Sequence, residues 1–262
     1  MAKTLDFSKY HGTGNDFIVL DNRKGQVDFL SQELRSLLCH RRFGVGADGV
    51  IYLEKTENGL YMRYFNADGN IGSLCGNGSR CFVQYCLELG IWNDEGFYAA
   101  DGHHKARVMA EHRIAIGFSD AGLPELHDAD WYLNTGSPHV VRQVQDLEHI
   151  DIIGEGKTIR HARRYQPGGT NANFIEQKQG HLSIRTFERG VEDETLSCGT
   201  GAVASALVWA SVHHSTGKNL QTLDTRGGKL EVEFTFNENE FHDIWLIGPA
   251  VHIMDGTWFI PQ

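Results

Sequence analysis

One block of sequence occurs twice. Leu74-Cys75-Gly76-Asn77-Gly78-Ser79 is echoed by Ser197-Cys198-Gly199-Thr200-Gly201-Ala202. Each copy follows a strand-like run and a short loop, through Phe65-Asn66-Ala67-Asp68-Gly69 in one case and Thr186-Phe187-Glu188-Arg189-Gly190 in the other. Each then opens a helical pattern, over residues 79–89 and 202–213. The two cysteines stand 123 residues apart, close to half of the 262-residue chain. Matching flanks as well as a matching core point to an internal duplication of a mostly-β unit wrapped round one helix. The turn-forming stretch Ser119-Asp120-Ala121-Gly122-Leu123-Pro124 marks a boundary. A first lobe is therefore expected over 1–118, with 250–262 returning to it, and a second over 119–249.

Period-two alternation predicts strands near 16–21, 50–54, 60–66, 106–109, 113–118, 140–144, 173–176, 182–187, 229–236 and 243–247, with a last one near 251–254. A third helix is expected over 30–41 behind a Ser31 cap. Lys and Arg number 24 against 34 Asp and Glu, a net charge of −10. That balance argues against nucleic acid and anionic membrane surfaces as partners. The longest apolar stretch, 202–212, is 11 residues, short of the ~18 a membrane span needs. The opening residues lack the apolar core of a secretory signal, so a cytoplasmic location is expected. Five cysteines in a chain of this size do not read as a disulfide framework. Cys39, Cys81 and Cys86 fall within helical patterns and read as small buried hydrophobes.

Cys75 and Cys198 read differently. A helix N-terminus exposes N–H groups without intrahelical acceptors and carries about half a positive charge, which stabilises a thiolate and attracts a carboxylate. The glycines beside each thiol leave those N–H groups open to a ligand. Two thiols, one per half, suit the inversion of a stereocentre, in which a base acts on one face of a carbon and an acid on the other. With an α-amino acid, the helix termini would stabilise charge building on the carboxylate as the Cα proton leaves. Such chemistry needs neither metal nor pyridoxal phosphate.

The two Cys-Gly-x-Gly blocks join others: Phe7-Ser8-Lys9-Tyr10-His11-Gly12-Thr13-Gly14-Asn15-Asp16-Phe17, Phe43-Gly44-Val45-Gly46-Ala47-Asp48-Gly49, Phe65-Asn66-Ala67-Asp68-Gly69, Gly169-Thr170-Asn171-Ala172-Asn173-Phe174, Glu188-Arg189-Gly190 and Gly248-Pro249-Ala250-Val251. In this order, from residue 7 to about residue 256, the set resembles the diaminopimelate epimerase family. The resemblance implies an α+β fold of two pseudo-symmetric lobes, each a β-barrel-like sheet wrapped round a central helix, with the active site between them. It implies a cofactor-independent isomerase that interconverts LL- and meso-2,6-diaminopimelate in lysine and peptidoglycan precursor synthesis. Cys75 and Cys198 match the thiol pair, as donor and acceptor respectively in the LL-to-meso direction. Gly76, Asn77, Gly199 and Thr200 match positions holding the reacting carboxylate. Asn15, Asn66, Asn171 and Arg189 match substrate-binding side chains. Glu188 matches a substrate contact that also tunes the thiols, and His139 matches a tuning residue. Arg189 has the planar fork that grips a second carboxylate.

Two departures bear on the distal end of the substrate. Gly136-Ser137-Pro138-His139 stands where the family commonly has Gly-Asn-Pro-His, and the loop from Glu188 to Cys198 is one residue longer than usual. Other readings remain open from sequence: a proline or hydroxyproline racemase or epimerase of the same fold, a non-catalytic ligand-binding module, or a thiol redox protein. The redox reading suffers from the absence of Cys-x-x-Cys. The expected partner is a small molecule, with neither metal nor organic cofactor. The oligomeric state stays open, a homodimer included.

Overall fold

The computed structural model describes residues 3–72, 74–109 and 113–261. The fold is α+β, and the chain divides into two compact units: Met1–Ile116 with Pro249–Gln262, and Gly117–Gly248. No helix among the described residues is long and apolar enough to cross a membrane.

In the first unit, β1 (Thr4–Gly12) and β2 (Asn15–Asp21) lead to helix α1 (Gln32–Cys39), followed by β3 (Gly49–Thr56) and β4 (Gly59–Asn66). Helix α2 (Gly76–Glu88) comes next, then β5 (Phe97–Ala99), β6 (Gly102–His104), β7 (Ala106–Val108) and β8 (Arg113–Gly117). Strands β1 to β6 pair in chain order, and the returning strand Val251–Phe259 lies on the free edge of β1. Strands β2 and β3 run parallel. Parallel neighbours need a crossover, and α1 supplies it. Its start is the expected one: Ser31 caps the helix by accepting from the Leu34 N–H.

The second unit repeats this order. After β9 (Ala121–Gly122) come β10 (Glu125–His127), β11 (Asp130–Asn134), β12 (Pro138–Gln143), helix α3 (Ile152–Arg160), β13 (Asn171–Lys178), β14 (His181–Glu188), β15 (Asp193–Thr195), helix α4 (Gly199–Val212), β16 (Gly217–Thr225), β17 (Gly228–Phe236) and β18 (Glu240–Pro249). Strands β12 and β13 are parallel, β13 and β14 antiparallel, β14 and β16 parallel. The sequence β2, β3, β4, β5 has the same senses. The duplicated block thus belongs to a duplicated topology, with α1 matching α3 and α2 matching α4.

The central strands of each sheet are covered on both faces, which is why β2, β3 and β13 read as near-continuous apolar runs. In the second unit, Ala202, Val203, Ala206, Leu207 and Ala210 of α4 pack into a core with Leu182, Leu223, Val232 and Phe241 from the strands. A helix apolar on every side must be enclosed, and α4 touches β11, β12, β13, β14, β16 and β17. Helix α2 likewise touches β1, β2, β3, β4 and the returning strand. The outer face of the second sheet holds α3, through Ile152 and Ile159 against Phe174 and Phe187.

Candidate active site

Cys75 is the residue before the first turn of α2, and Cys198 holds the same place on α4. Both are extended, at φ −114° and −118°, and neither side chain caps its own helix. The helices begin three residues earlier than the apolar pattern indicates. Glycine weakens a helix in isolation, yet Gly78 sits against Ile51 and Met62, and a Cβ on Gly201 would overlap Asn173 Oδ1. The protein interior therefore demands the second glycine at 201 and leaves little room beside the one at 78, and packing draws the block into the first turn.

Around Cys75 the polar side chains form one connected set. Asn15 donates through Nδ2 to Asp48 Oδ2 at 2.7 Å and turns Oδ1 towards Cys75 Sγ at 3.6 Å and Asn77 Nδ2 at 3.2 Å. Arg80, wholly buried, donates to Asn77 Oδ1 at 2.8 Å. Asp48 is itself gripped by Arg41 at 2.7 Å, and Asp16 by Arg41 and Lys9 at 2.6 and 3.0 Å. Burial raises the Asp16 carboxyl, but hydrogen bonds from Arg41 and Lys9 outweigh it and hold the group below its ordinary value. Gly76 and Asn77 are buried in the first turn of α2. Asn66, by contrast, is exposed at the end of β4, where its backbone closes a turn with Gly69 and Asn70.

Around Cys198 the arrangement runs through a histidine. Thr200 Oγ1 lies 3.5 Å from Cys198 Sγ and 2.8 Å from His139 Nε2. On the other side of the ring, His139 Nδ1 lies 3.1 Å from Asn173 Nδ2. Burial, with a smaller contribution from the Arg189 charge, pushes the His139 imidazole down to about 3, so it is neutral at physiological pH. Thr135 donates to the Thr200 carbonyl at 2.9 Å and fixes the first turn of α4. Gly199 is buried beside it.

Asn171 ties the remaining pieces together. Its Nδ2 donates to Ser137 Oγ at 2.9 Å and to the Pro138 carbonyl at 2.8 Å, and its Oδ1 accepts from the Arg189 N–H at 2.8 Å. Ser137, the departure noted in the sequence, thus serves as an acceptor for Asn171. The Arg189 guanidinium makes one hydrogen bond among the described residues, a long one of 3.4 Å to the Gly168 carbonyl. Glu188 ends β14 opposite Asp193. Polar residues with no role from sequence also belong to these sets, among them Asp48, Arg80, Thr135 and Asn173. Asp48 and Asn173 lie inside two of the blocks that carry the family resemblance, residues 43–49 and 169–174, which was the available signal. Arg80 carries no such mark. The other cysteines are buried, and burial raises the thiols of Cys39, Cys81 and Cys86.

The sequence profile of a family described as diaminopimelate epimerase matches residues 7–108 and 131–253. A diaminopimelate epimerase of Flavobacterium psychrophilum is 43% identical over 252 residues, covering 95% of this chain and 98% of that protein. One from Chlorobaculum tepidum is 41% identical over 261 residues, covering 94% of this chain and 98% of its own. Among solved structures, a phenazine biosynthesis protein of the PhzF family from Bacillus anthracis is similar with a TM-score of 0.75 at 15% identity, over 97% of this chain and 99% of that one. A hydroxyproline epimerase from Agrobacterium vitis, with bound trans-4-hydroxy-L-proline, has a TM-score of 0.73 at 14% identity, over 100% and 95%. At these identities the two structures speak for a shared fold.

Proposed function

We propose that this chain, which belongs to the diaminopimelate epimerase family, interconverts LL- and meso-2,6-diaminopimelate by proton transfer at Cα, with Cys75 and Cys198 as the acid and base. The observation that carries the reading is the matched placement of the two thiols. Each stands immediately before the first turn of a buried helix whose N-terminal N–H groups its own side chain leaves uncapped.

That placement supports a two-base mechanism. One thiolate removes the Cα proton, and the opposite thiol returns a proton to the other face of the planar carbanion. Charge that builds on the substrate carboxylate is met by the N–H groups of Gly76 and Asn77 on one helix and Gly199 and Thr200 on the other. The residues of this chain supply both the proton relay and the charge stabilisation. Arg189 suits the unreactive carboxylate at the far end of the substrate, because among the described residues its fork makes one long hydrogen bond, to the Gly168 carbonyl. Asn171 holds the Arg189 backbone in place, and Asn15 supports Asn77.

Deuterium wash-in from heavy water tests the reading. LL-diaminopimelate is expected to gain deuterium at Cα, with proline and lysine inert. Cys75→Ser and Cys198→Ser are each expected to slow turnover at least ~100-fold. Exchange into proline, or full turnover by either serine variant, would overturn it.

A further inference from the structure

We propose that Asn173 is a positioning residue: it sets the tautomer of His139, and a one-way hydrogen-bond chain through Thr200 then ends as a hydroxyl donated to Cys198, holding that sulfur as the base. The assignment of Cys198 as a reacting thiol rests on the function proposed above. The chain itself rests on geometry.

As far as Thr200 its direction is forced from the far end, and the last step to Cys198 is the one proposed. The Val140 carbonyl can only accept, so the Asn173 atom 2.9 Å from it is the amide nitrogen. Consistently, Asn173 Oδ1 accepts from the Thr186 hydroxyl at 3.0 Å. The same NH2 group lies 3.1 Å from His139 Nδ1 and can only donate to it. Nδ1 therefore carries no hydrogen, and the proton of a neutral ring sits on Nε2. Nε2–H donates to Thr200 Oγ1 at 2.8 Å. Thr200 Oγ1, accepting from the ring through one lone pair, keeps its proton to offer, and Cys198 Sγ, 3.5 Å away, is the acceptor the proposal assigns to it. A hydroxyl donated to sulfur favours the thiolate.

His139 is entirely enclosed, at 0% exposure, and so is Asn173. The charged group acting on His139 is Arg189, which opposes protonation of the ring. In this arrangement His139 does not take a proton from a thiol. Its basic nitrogen is already occupied by Asn173, and it works as a fixed donor. Gly201 completes the device, because a side chain there would displace Asn173.

The first unit presents the opposite polarity. Asn15 spends its NH2 on the Asp48 carboxylate and faces Cys75 with an amide oxygen, which can only accept. A hydrogen bond there requires S–H. One thiol thus meets an acceptor and the other a donor, the arrangement that separates an acid from a base.

The experiment uses the full chain and two readouts. Nitrogen chemical shifts of the histidine rings, with His139 assigned by loss of its signal in His139→Gln, are expected to show a neutral ring protonated on Nε2 and unchanged between about pH 5 and 8. A ring protonated on Nδ1, or an imidazolium in that range, would overturn the proposal. Asn173→Asp keeps the side-chain size but accepts where the amide donates, so it reverses the tautomer and turns Thr200 away from sulfur. Its alkylation by iodoacetamide at Cys198 is expected to slow about tenfold or more, with Cys75 unaffected. Its kcat is expected to fall ten- to hundredfold while KM shifts less than about threefold. Unchanged alkylation and kcat in a folded Asn173→Asp protein would also overturn it. The ring shifts and the alkylation need no diaminopimelate. If the unmodified chain exchanges no diaminopimelate proton, the substrate assignment falls, and these two readouts still decide the role of Asn173.

Discussion

Arg80 rests its guanidinium on the side-chain oxygen of Asn77 at 2.8 Å, and both residues are buried. Its other acceptors are the Thr13 hydroxyl and the carbonyls of Gly76 and Pro249, all uncharged. Burial among them pushes the guanidinium down to about 10. Arg80 therefore costs desolvation and returns geometry. With Asn77 Oδ1 taken by a cation, Asn77 Nδ2 must point at Asn15, and the acceptor facing Cys75 is set from both ends. Arg80→Lys keeps the charge but cannot reach four acceptors, and a loss of about 2–3 kcal/mol is expected from urea titration.

Asp48 holds the other end of that set. In Asp48→Ala the Asn15 amide loses its partner and is free to turn its NH2 towards Cys75. A fall of roughly tenfold in kcat/KM is expected, the equivalent of one hydrogen bond of about 1.4 kcal/mol. Isotope wash-in on the variant measures it, and an undiminished rate would show that Asn15 is held by other means.

The enclosed histidine makes stability depend on pH. Its folded value of about 3 lies below the ordinary 6.5. The unfolded chain therefore binds a proton between those values that the folded chain refuses. The stability is fully present above pH 6.5 and is lost as pH falls towards 3. Integrated from pH 7 to pH 5, His139 accounts for about 2 kcal/mol. Urea midpoints at the two pH values should reveal this loss, and His139→Gln should be free of it.

Arg189 offers a test of the far carboxylate. Arg189→Lys retains charge and loses the two-pronged grip, so KM for diaminopimelate is expected to rise about ten- to thirtyfold. Saturation curves for the two proteins decide the matter. An unaltered KM would remove Arg189 from the binding side chains.

Helix α3 shows where sequence patterns stop informing. Its Ile-Ile-Gly-Glu-Gly-Lys-Thr-Ile-Arg has two glycines, which signal a turn. The structure has a helix there, capped by Asp151 accepting from the Gly154 N–H at 3.0 Å. A Cβ on Gly156 would overlap Phe187 on the sheet beneath. Gly156→Ala is therefore expected to lower stability by about 1–3 kcal/mol despite the better helix former, and thermal melts would register the change.

The same limit applies elsewhere. The cores of strands such as Gly59–Asn66 and Gly228–Phe236 were legible because alternation is a local property. Strand Gly217–Thr225, with Lys218, Asn219, Gln221 and Asp224, carries no period-two apolar pattern and is invisible to that rule. Among site residues, the cysteines and their neighbours stood out through repetition. Arg80 did not, since an arginine in a helical pattern is ordinarily a solvated one and its burial is decided by strands distant in sequence. Which way the Asn15, Asn77 and Asn173 amides point depends on Asp48, Arg80 and Val140, contacts that no spacing rule encodes.

The edge strand Val251–Phe259, paired along β1, has a consequence for biosynthesis. The second unit is one unbroken segment, 117–248, whereas the first needs residues from both sides of it. A ribosome releases the later unit whole while the earlier one still shows a bare β1 margin, open to mispairing until residues 251–259 emerge. The half begun first is the half finished last.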